Sequence, residues 1–188
     1  LSDIGSYELD ADKQGELYHR YVLAVYELQD RLTKEFPHIL LENCSGGGAR
    51  FDPGMLYFSP QIWCSDDADA IERLAIQEGT SLIYPLSTMG AHVADCPNHT
   101  VGRVTPFETR GIVALAGTFG YELDVTMLSD MDRAKVKKQI EYYKEHRHLL
   151  QFGEFSRMGD IETDDRCMWQ ITSEDKSEAM YGYFVDRI

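Results

Sequence analysis

The order of patterned segments constrains this chain most. Short apolar runs that read as strands are each followed by a run with helical periodicity, three or four times over, in units of ~30–40 residues. Such alternation requires a parallel sheet or barrel, because parallel neighbours cannot be joined by a tight turn. A first helix is expected over Asp12–Glu35, with Leu17, Tyr21, Val25, Leu28 and Leu32 on one face and Pro37 as its stop. Strands are expected at Ile39–Glu42, Met55–Ser59, Thr80–Leu86 and Phe119–Val125. Asp52-Pro53-Gly54 reads as a turn, and Ser87–Val104 as a long loop of the kind that often carries function.

The helices between them follow the same logic. Asp67–Glu78 places Ala68, Ile71, Leu74 and Ala75 inward, with Gly79 suited to the C-cap. Thr105-Pro106-Phe107-Glu108 reads as a capped start, with Thr105 as cap, of a helix ending near Gly117. Ser129–Asp132 opens a helix through Leu150 whose inner face is Val136, Ile140 and Tyr143. The tail changes character. Arg166–Thr172 and Glu178–Asp186 read as strands with no helix between them, Tyr181, Tyr183 and Val185 alternating. Trp169 and the tyrosine-rich tail are expected to form the core of that sheet.

Four strand–helix units make half of a closed (β/α)₈ barrel, which needs ~250 residues. Half a barrel leaves two open strand edges, which proteins normally avoid. The expectation is therefore an α/β piece of a longer polypeptide.

Composition narrows the function classes. A net charge of −14 repels phosphate, so a nucleic-acid or anionic-membrane surface is not expected. No apolar run approaches the ~20 residues that span a bilayer, and the first residues lack the pattern of a signal peptide. Four widely spaced cysteines, Cys44, Cys64, Cys96 and Cys167, suggest reduced thiols and a cytoplasmic location.

The chemistry-bearing residues gather in Ile39–Ala70. Ser65, Asp66, Asp67 and Asp69 can be read as caps of a helix N-terminus. Alternatively Asp66, following Trp63 at a strand end, is a carboxylic acid partly desolvated by an aromatic wall and able to protonate a leaving oxygen. On that reading Asp67 and Asp69 are the caps that hold it. Cys44 with Gly46, Gly47 and Gly48 lacks the lysine of a nucleotide loop and a nearby histidine for a nucleophile. It is either a structural turn or a side-chain-free wall against which a polyhydroxylated ligand can lie. His92, Cys96 and His99, with Cys64 or Cys167, match no zinc pattern, so no metal is expected. Arg103 and Arg110 are expected to tie the long loop to its helix.

The phrases LLENCSGGGARFDPGMLYFSPQIWCSDDADAIERL and GTSLIYPLSTMGAHVADCPNHTVGRVTPFETRG resemble the α-galactosidases of glycoside hydrolase family 36. The resemblance extends over roughly Leu1–Met158. It implies the second half of a TIM (β/α)₈ barrel, residues 1–158, then the beginning of an antiparallel β domain, residues 159–188. It implies a retaining α-galactosidase acting on terminal α-galactosyl residues of melibiose- and raffinose-type sugars, with no metal or organic cofactor.

By the same resemblance Asp66 is the general acid/base, Cys44 lines the galactose subsite beside Gly46 and Gly47, and Trp63 sits next to the acid. The nucleophile is the Asp of a KWDMNR-like motif, which would end just before Leu1; Asp3 and Asp52 do not match it. The isolated chain is accordingly expected to be inactive. The parent enzyme is expected to be a homo-oligomer, often a tetramer. A raffinose-synthase-like galactosyl transferase and a non-catalytic sugar-binding module are the alternatives.

Overall fold

Four short strands lie parallel and in chain order in the computed structural model, which describes residues 5–159 and 166–185. They are β1 (Glu42–Asn43), β2 (Gln61–Trp63), β3 (Met89–Ala94) and β4 (Thr118–Glu122). The chain returns between them over helices α2 (Pro53–Phe58), α3 (Ala70–Thr80) and α4 (Phe107–Ala114). Helix α1 (Gln14–Glu35) precedes β1, and α5 (Asp130–Phe152) follows β4. A second, antiparallel sheet of β5 (Glu154–Arg157), β6 (Arg166–Thr172) and β7 (Ala179–Val185) begins directly after α5.

Burial explains these elements. In β3, Met89, Gly90, Ala91, Val93 and Ala94 are all buried, as expected for a parallel strand covered on both faces. In β6, Cys167, Trp169 and Ile171 are buried and alternate with less buried neighbours, so one face of the antiparallel sheet meets the core. They join Leu74 of α3, Val113 of α4 and Leu149 and Leu150 of α5 in one cluster. The second sheet is thereby packed against the helical layer of the first.

Several expected strands are displaced. Met55–Ser59 is helical: Asp52 accepts the Met55 backbone N–H at 3.0 Å and Pro53 occupies the first turn, a capped start that also reads as a turn. The strand comes after it, at Gln61–Trp63. Thr80–Leu86 is not a strand either. Leu82 and Ile83 are exposed, and the strand lies further on at Met89–Ala94, within the expected long loop. Ile39 and Leu40 are likewise exposed, and β1 starts at Glu42.

Other expectations differ in detail. The inner face of α3 is Ala70, Arg73, Leu74 and Gln77, spaced by three and four, so it includes a charge. Thr105 does not cap α4. Pro106 holds the N-cap position without a side-chain bond, and the buried Thr105 Oγ1 has no hydrogen-bond partner. In β7, Tyr181 and Tyr183 point to solvent, while Gly182 lies buried under the Trp169 ring, where a Cβ would collide with it. Leu28 of α1 is exposed, and the buried residue of that helix is Gln29. The helices at 107–114 and 130–152 and strand β4 lie where periodicity places them. Among the described residues no helix is long and apolar enough to cross a membrane.

Candidate active site

The ends of β1 and β2 bring the candidate residues together. The strands pair with Asn43 opposite Ile62, so Cys44 and Trp63 leave the sheet side by side at its C-terminal edge. In an α/β fold this edge is where ligands bind. After Cys44 the chain turns through Gly46, Gly47 and Gly48 with φ of 57, 74 and 89°. Each is a left-handed conformation that costs a side-chain-bearing residue ~1–2 kcal/mol. The glycines also permit contact. A Cβ on Gly47 would stand 2.9 Å from the Asp66 backbone nitrogen and 3.5 Å from its Cγ.

Asp66 therefore sits directly against the glycine turn. Its Oδ1 lies 4.0 Å from Cys44 Sγ, within reach of a weak S–H donor. Both residues are exposed. The structure thus unites Asp66, Cys44 and Gly47 at one solvent-facing site, with Gly46 beside them and open space around its Cα.

The turn that presents Asp66 is a chain of local bonds. Ser65 Oγ accepts the Asp67 N–H at 3.1 Å, and Asp67 Oδ1 accepts the Asp69 N–H at 3.0 Å. Asp69 caps α3 by accepting from Ile71 at 3.0 Å and Glu72 at 3.2 Å. Asp67 and Asp69 have the supporting geometry expected of them. Arg103 then ion-pairs with both Asp69 and Glu72, fixing the long loop to α3, and Arg110 donates to the Ala94 carbonyl.

Trp63 is buried and faces inward. Its ring stacks on His92 with centroids 4.6 Å apart, and the Arg73 guanidinium lies 4.0 Å from its centre. Gly90 closes the other approach, where a Cβ would meet Trp63 Cε3 at 2.9 Å. The ring is thus engaged with Arg73 and His92 while Asp66 is exposed, so the expected aromatic wall around the acid is not what this arrangement provides.

Arg73 has no counterpart in the sequence expectations, and His92 figures there only as a possible zinc ligand on a loop. Arg73 is 2% exposed and reaches back beneath the turn; its one signal is its place in the Ala70, Leu74, Gln77 stripe of α3. His92 lies on β3 under Trp63, and burial, then the charge of Arg73, pull its pKa below the ordinary imidazole value. Among the described residues no group of three or more His, Cys, Asp or Glu is arranged to hold a metal ion. Cys96 instead donates to the Thr105 carbonyl at 3.7 Å, and Cys167 is buried in the second sheet.

An exposed carboxylate beside a glycine turn, at the C-terminal edge of a parallel sheet, stands where α/β folds place their ligand sites. Residues 1–153 match the Melibiase family, and the chain belongs to that family, that of the glycoside hydrolase family 36 α-galactosidases. It is 52% identical over 184 residues to the α-galactosidase AgaA of Geobacillus stearothermophilus, covering 98% of this chain and 25% of that protein. Alpha-galactosidase 1 of Pediococcus pentosaceus is 53% identical over 184 residues, with the same coverage of 98% and 25%. A crystal structure of G. stearothermophilus AgaA in complex with raffinose superposes with a TM-score of 0.90 at 51% identity, covering 97% of this chain and 26% of that one. The chain thus spans about a quarter of the length of the curated relatives it matches. The parallel sheet is accordingly a portion of a TIM barrel, and the antiparallel sheet belongs to the β domain that follows. These relatives carry hydrolase names, which does not favour the galactosyl-transferase alternative.

Proposed function

We propose that the polypeptide is a retaining α-galactosidase and that this chain supplies the acid/base side of its active site. The observation that carries the reading is the meeting of Asp66, Cys44 and Gly47 at one exposed strand-end site. Membership of the Melibiase family supports it. The substrates would be terminal α-galactosides of the melibiose and raffinose type.

The chemistry requires two carboxyls ~5–5.5 Å apart. Asp66 in its protonated form gives its proton to the glycosidic oxygen as a second carboxylate attacks the anomeric carbon and the aglycone leaves. Asp66, now ionised, takes a proton from water, which displaces the enzyme carboxylate and releases galactose with retained configuration. The second carboxylate belongs, on this reading, to the three quarters of such relatives' length that this chain does not span. Asp52 is not a candidate, because it caps α2 and accepts from Tyr26 at 3.1 Å. Cys44 would donate to a galactose hydroxyl, and Gly46 and Gly47 would let the sugar ring approach the backbone. Trp63 would act by shaping the turn from beneath.

The isolated chain is then inactive, and the barrel portion gives way to the β domain close to residue 158. The end of the family match at residue 153 and the start of β5 at Glu154 favour a boundary a few residues earlier. A cytoplasmic, homo-oligomeric enzyme completes the proposal, the four free cysteines supporting the compartment.

Asp66→Asn in the full-length protein tests the central assignment. Turnover of melibiose, whose leaving group needs a proton, should fall on the order of 10²–10⁴-fold. Turnover near wild type would show that Asp66 is not the acid.

A further inference from the structure

Arg73 uses its guanidinium in an unusual way for a buried charge. Its Nη2 donates to the Ser65 carbonyl at 2.7 Å and its Nε to the Asp67 carbonyl at 2.8 Å. Those two carbonyls belong to the residues on either side of Asp66. Its Nη1 donates to Cys64 Sγ at 3.0 Å and to the Gly90 carbonyl of β3 at 3.3 Å. The same group lies against the face of Trp63. One planar fork therefore joins both sides of the Asp66 turn to the neighbouring strand, at a position only 2% exposed.

Bulk packing does not account for it. Taking a guanidinium out of water costs several kcal/mol, and an aliphatic side chain would fill an inner helix face without that cost. What a guanidinium adds is rigidity: donors fixed in one plane, able to hold two carbonyls at a set separation. A carboxylic acid that protonates a leaving oxygen must be held within ~0.5 Å of its productive place. Among the described residues the exposed Asp66 carboxyl meets the weak Cys44 thiol donor, so the firm hold on it acts through its backbone.

We propose that Arg73 is a positioning residue for Asp66, clamping the carbonyls on either side of it so that the carboxyl is aimed at the glycosidic oxygen. The inference rests on the reading of Asp66 as acid/base. Arg73 touches no substrate. It acts through the turn, and its loss shows in kcat/KM, which reports attack on the bound galactoside and not the later attack of water, only where proton donation is needed.

The test is Arg73→Lys in the full-length enzyme, with Asp66→Asn measured beside it. Two substrates are compared by kcat/KM: melibiose, which needs the acid, and 4-nitrophenyl α-galactoside, whose leaving group departs without one. Lysine keeps the charge but lacks the fork. The expected result is a fall on the order of 10- to 100-fold on melibiose, with the nitrophenyl substrate changed by about threefold or less. An equal fall on both substrates, or none on either, overturns the proposal. If Arg73→Lys does not fold, Arg73→Gln, which keeps two N–H donors and no charge, is judged by the same ratio. Failure of both to fold makes Arg73 a folding residue and also overturns it. If Asp66→Asn lacks the substrate selectivity, the reading of Asp66 has failed. If Asp66→Asn shows it and Arg73→Lys does not, only the positioning role has failed.

Discussion

The thiol of Cys44 and the carboxylate of Asp66 arise 22 residues apart, at the ends of two adjacent parallel strands, and meet with Sγ 4.0 Å from Oδ1. The register of β1 on β2 places them, and the glycine turn closes the gap. A thiol donor beside a carboxylate gives a polyhydroxylated ligand one donor and one acid on the same wall. Neither residue is needed by the hydrophobic core, since both are exposed.

On the proposed α-galactosidase reading, Cys44→Ala in the full-length protein should therefore weaken binding without harming the fold. A neutral hydrogen bond contributes about 0.5–1.5 kcal/mol, so kcat/KM on a galactoside should drop about three- to tenfold, chiefly through KM. Steady-state kinetics decide it, and an unchanged KM would remove Cys44 from the subsite.

Gly46 and Gly47 share left-handed backbones but not surroundings. Alanine at either carries a conformational cost of ~1–2 kcal/mol. At Gly46 the new methyl enters open space, whereas at Gly47 it meets the backbone of Asp66 at 2.9 Å. Both variants should lower the urea midpoint, Gly47→Ala by more, because its methyl must also displace backbone. On the proposed reading Gly46→Ala acts through KM by crowding the sugar, whereas Gly47→Ala should also lower kcat on melibiose by on the order of tenfold or more, because it displaces the acid. Equal kinetics for the two would mean that the contact does not set the position of Asp66.

Much of this was legible in the linear chain, and the reasons for the rest are physical. Caps and periodicity placed α5 and its inner face, because Ser129 accepts from Asp132 in the manner its type suggests. The parallel sheet followed from alternation alone. Individual strands did not. β3 is built of Met89, Gly90, Ala91, His92, Val93 and Ala94, where glycine, alanine and histidine break up any run of β-branched residues, beside an exposed Leu82-Ile83 pair that stands out. Glycine is needed at Gly90 of β3 and Gly120 of β4, where a Cβ would meet the rings of Trp63 and His92. The candidate residues Cys44, Gly47 and Asp66 stand out by motif, and the fold brings them together; the buried Arg73 beneath them does not, since a charge in a helix is ordinarily read as surface.

Thr105 offers a test in which sequence and structure predict opposite signs. A capping threonine replaced by valine would lose about 1 kcal/mol of stability. Here the hydroxyl is buried without a hydrogen-bond partner, on a residue 6% exposed. Thr105→Val removes that polar atom at nearly constant shape, and should be neutral or stabilising by about 1 kcal/mol in urea denaturation of the full-length protein. A loss of stability would restore the capping role.

His92 makes stability depend on pH. Burial first, and then the nearby Arg73 charge, lower its pKa in the folded state below the ordinary value of about 6.5. Glu122, 3.9 Å from Nδ1, lies at the exposed side, and Trp63 stacks on the ring. Because the folded protein binds this proton less readily than the unfolded chain, the contribution is fully present above pH 6.5. It is lost as pH falls from there through the folded-state value. The urea midpoint of the full-length protein should therefore decline between pH 7 and pH 5. His92→Phe preserves an aromatic stack on Trp63 but cannot take up a proton, so its decline over the same range should be smaller. Identical slopes for the two proteins would mean that other groups carry the acid sensitivity and that His92 is not part of it.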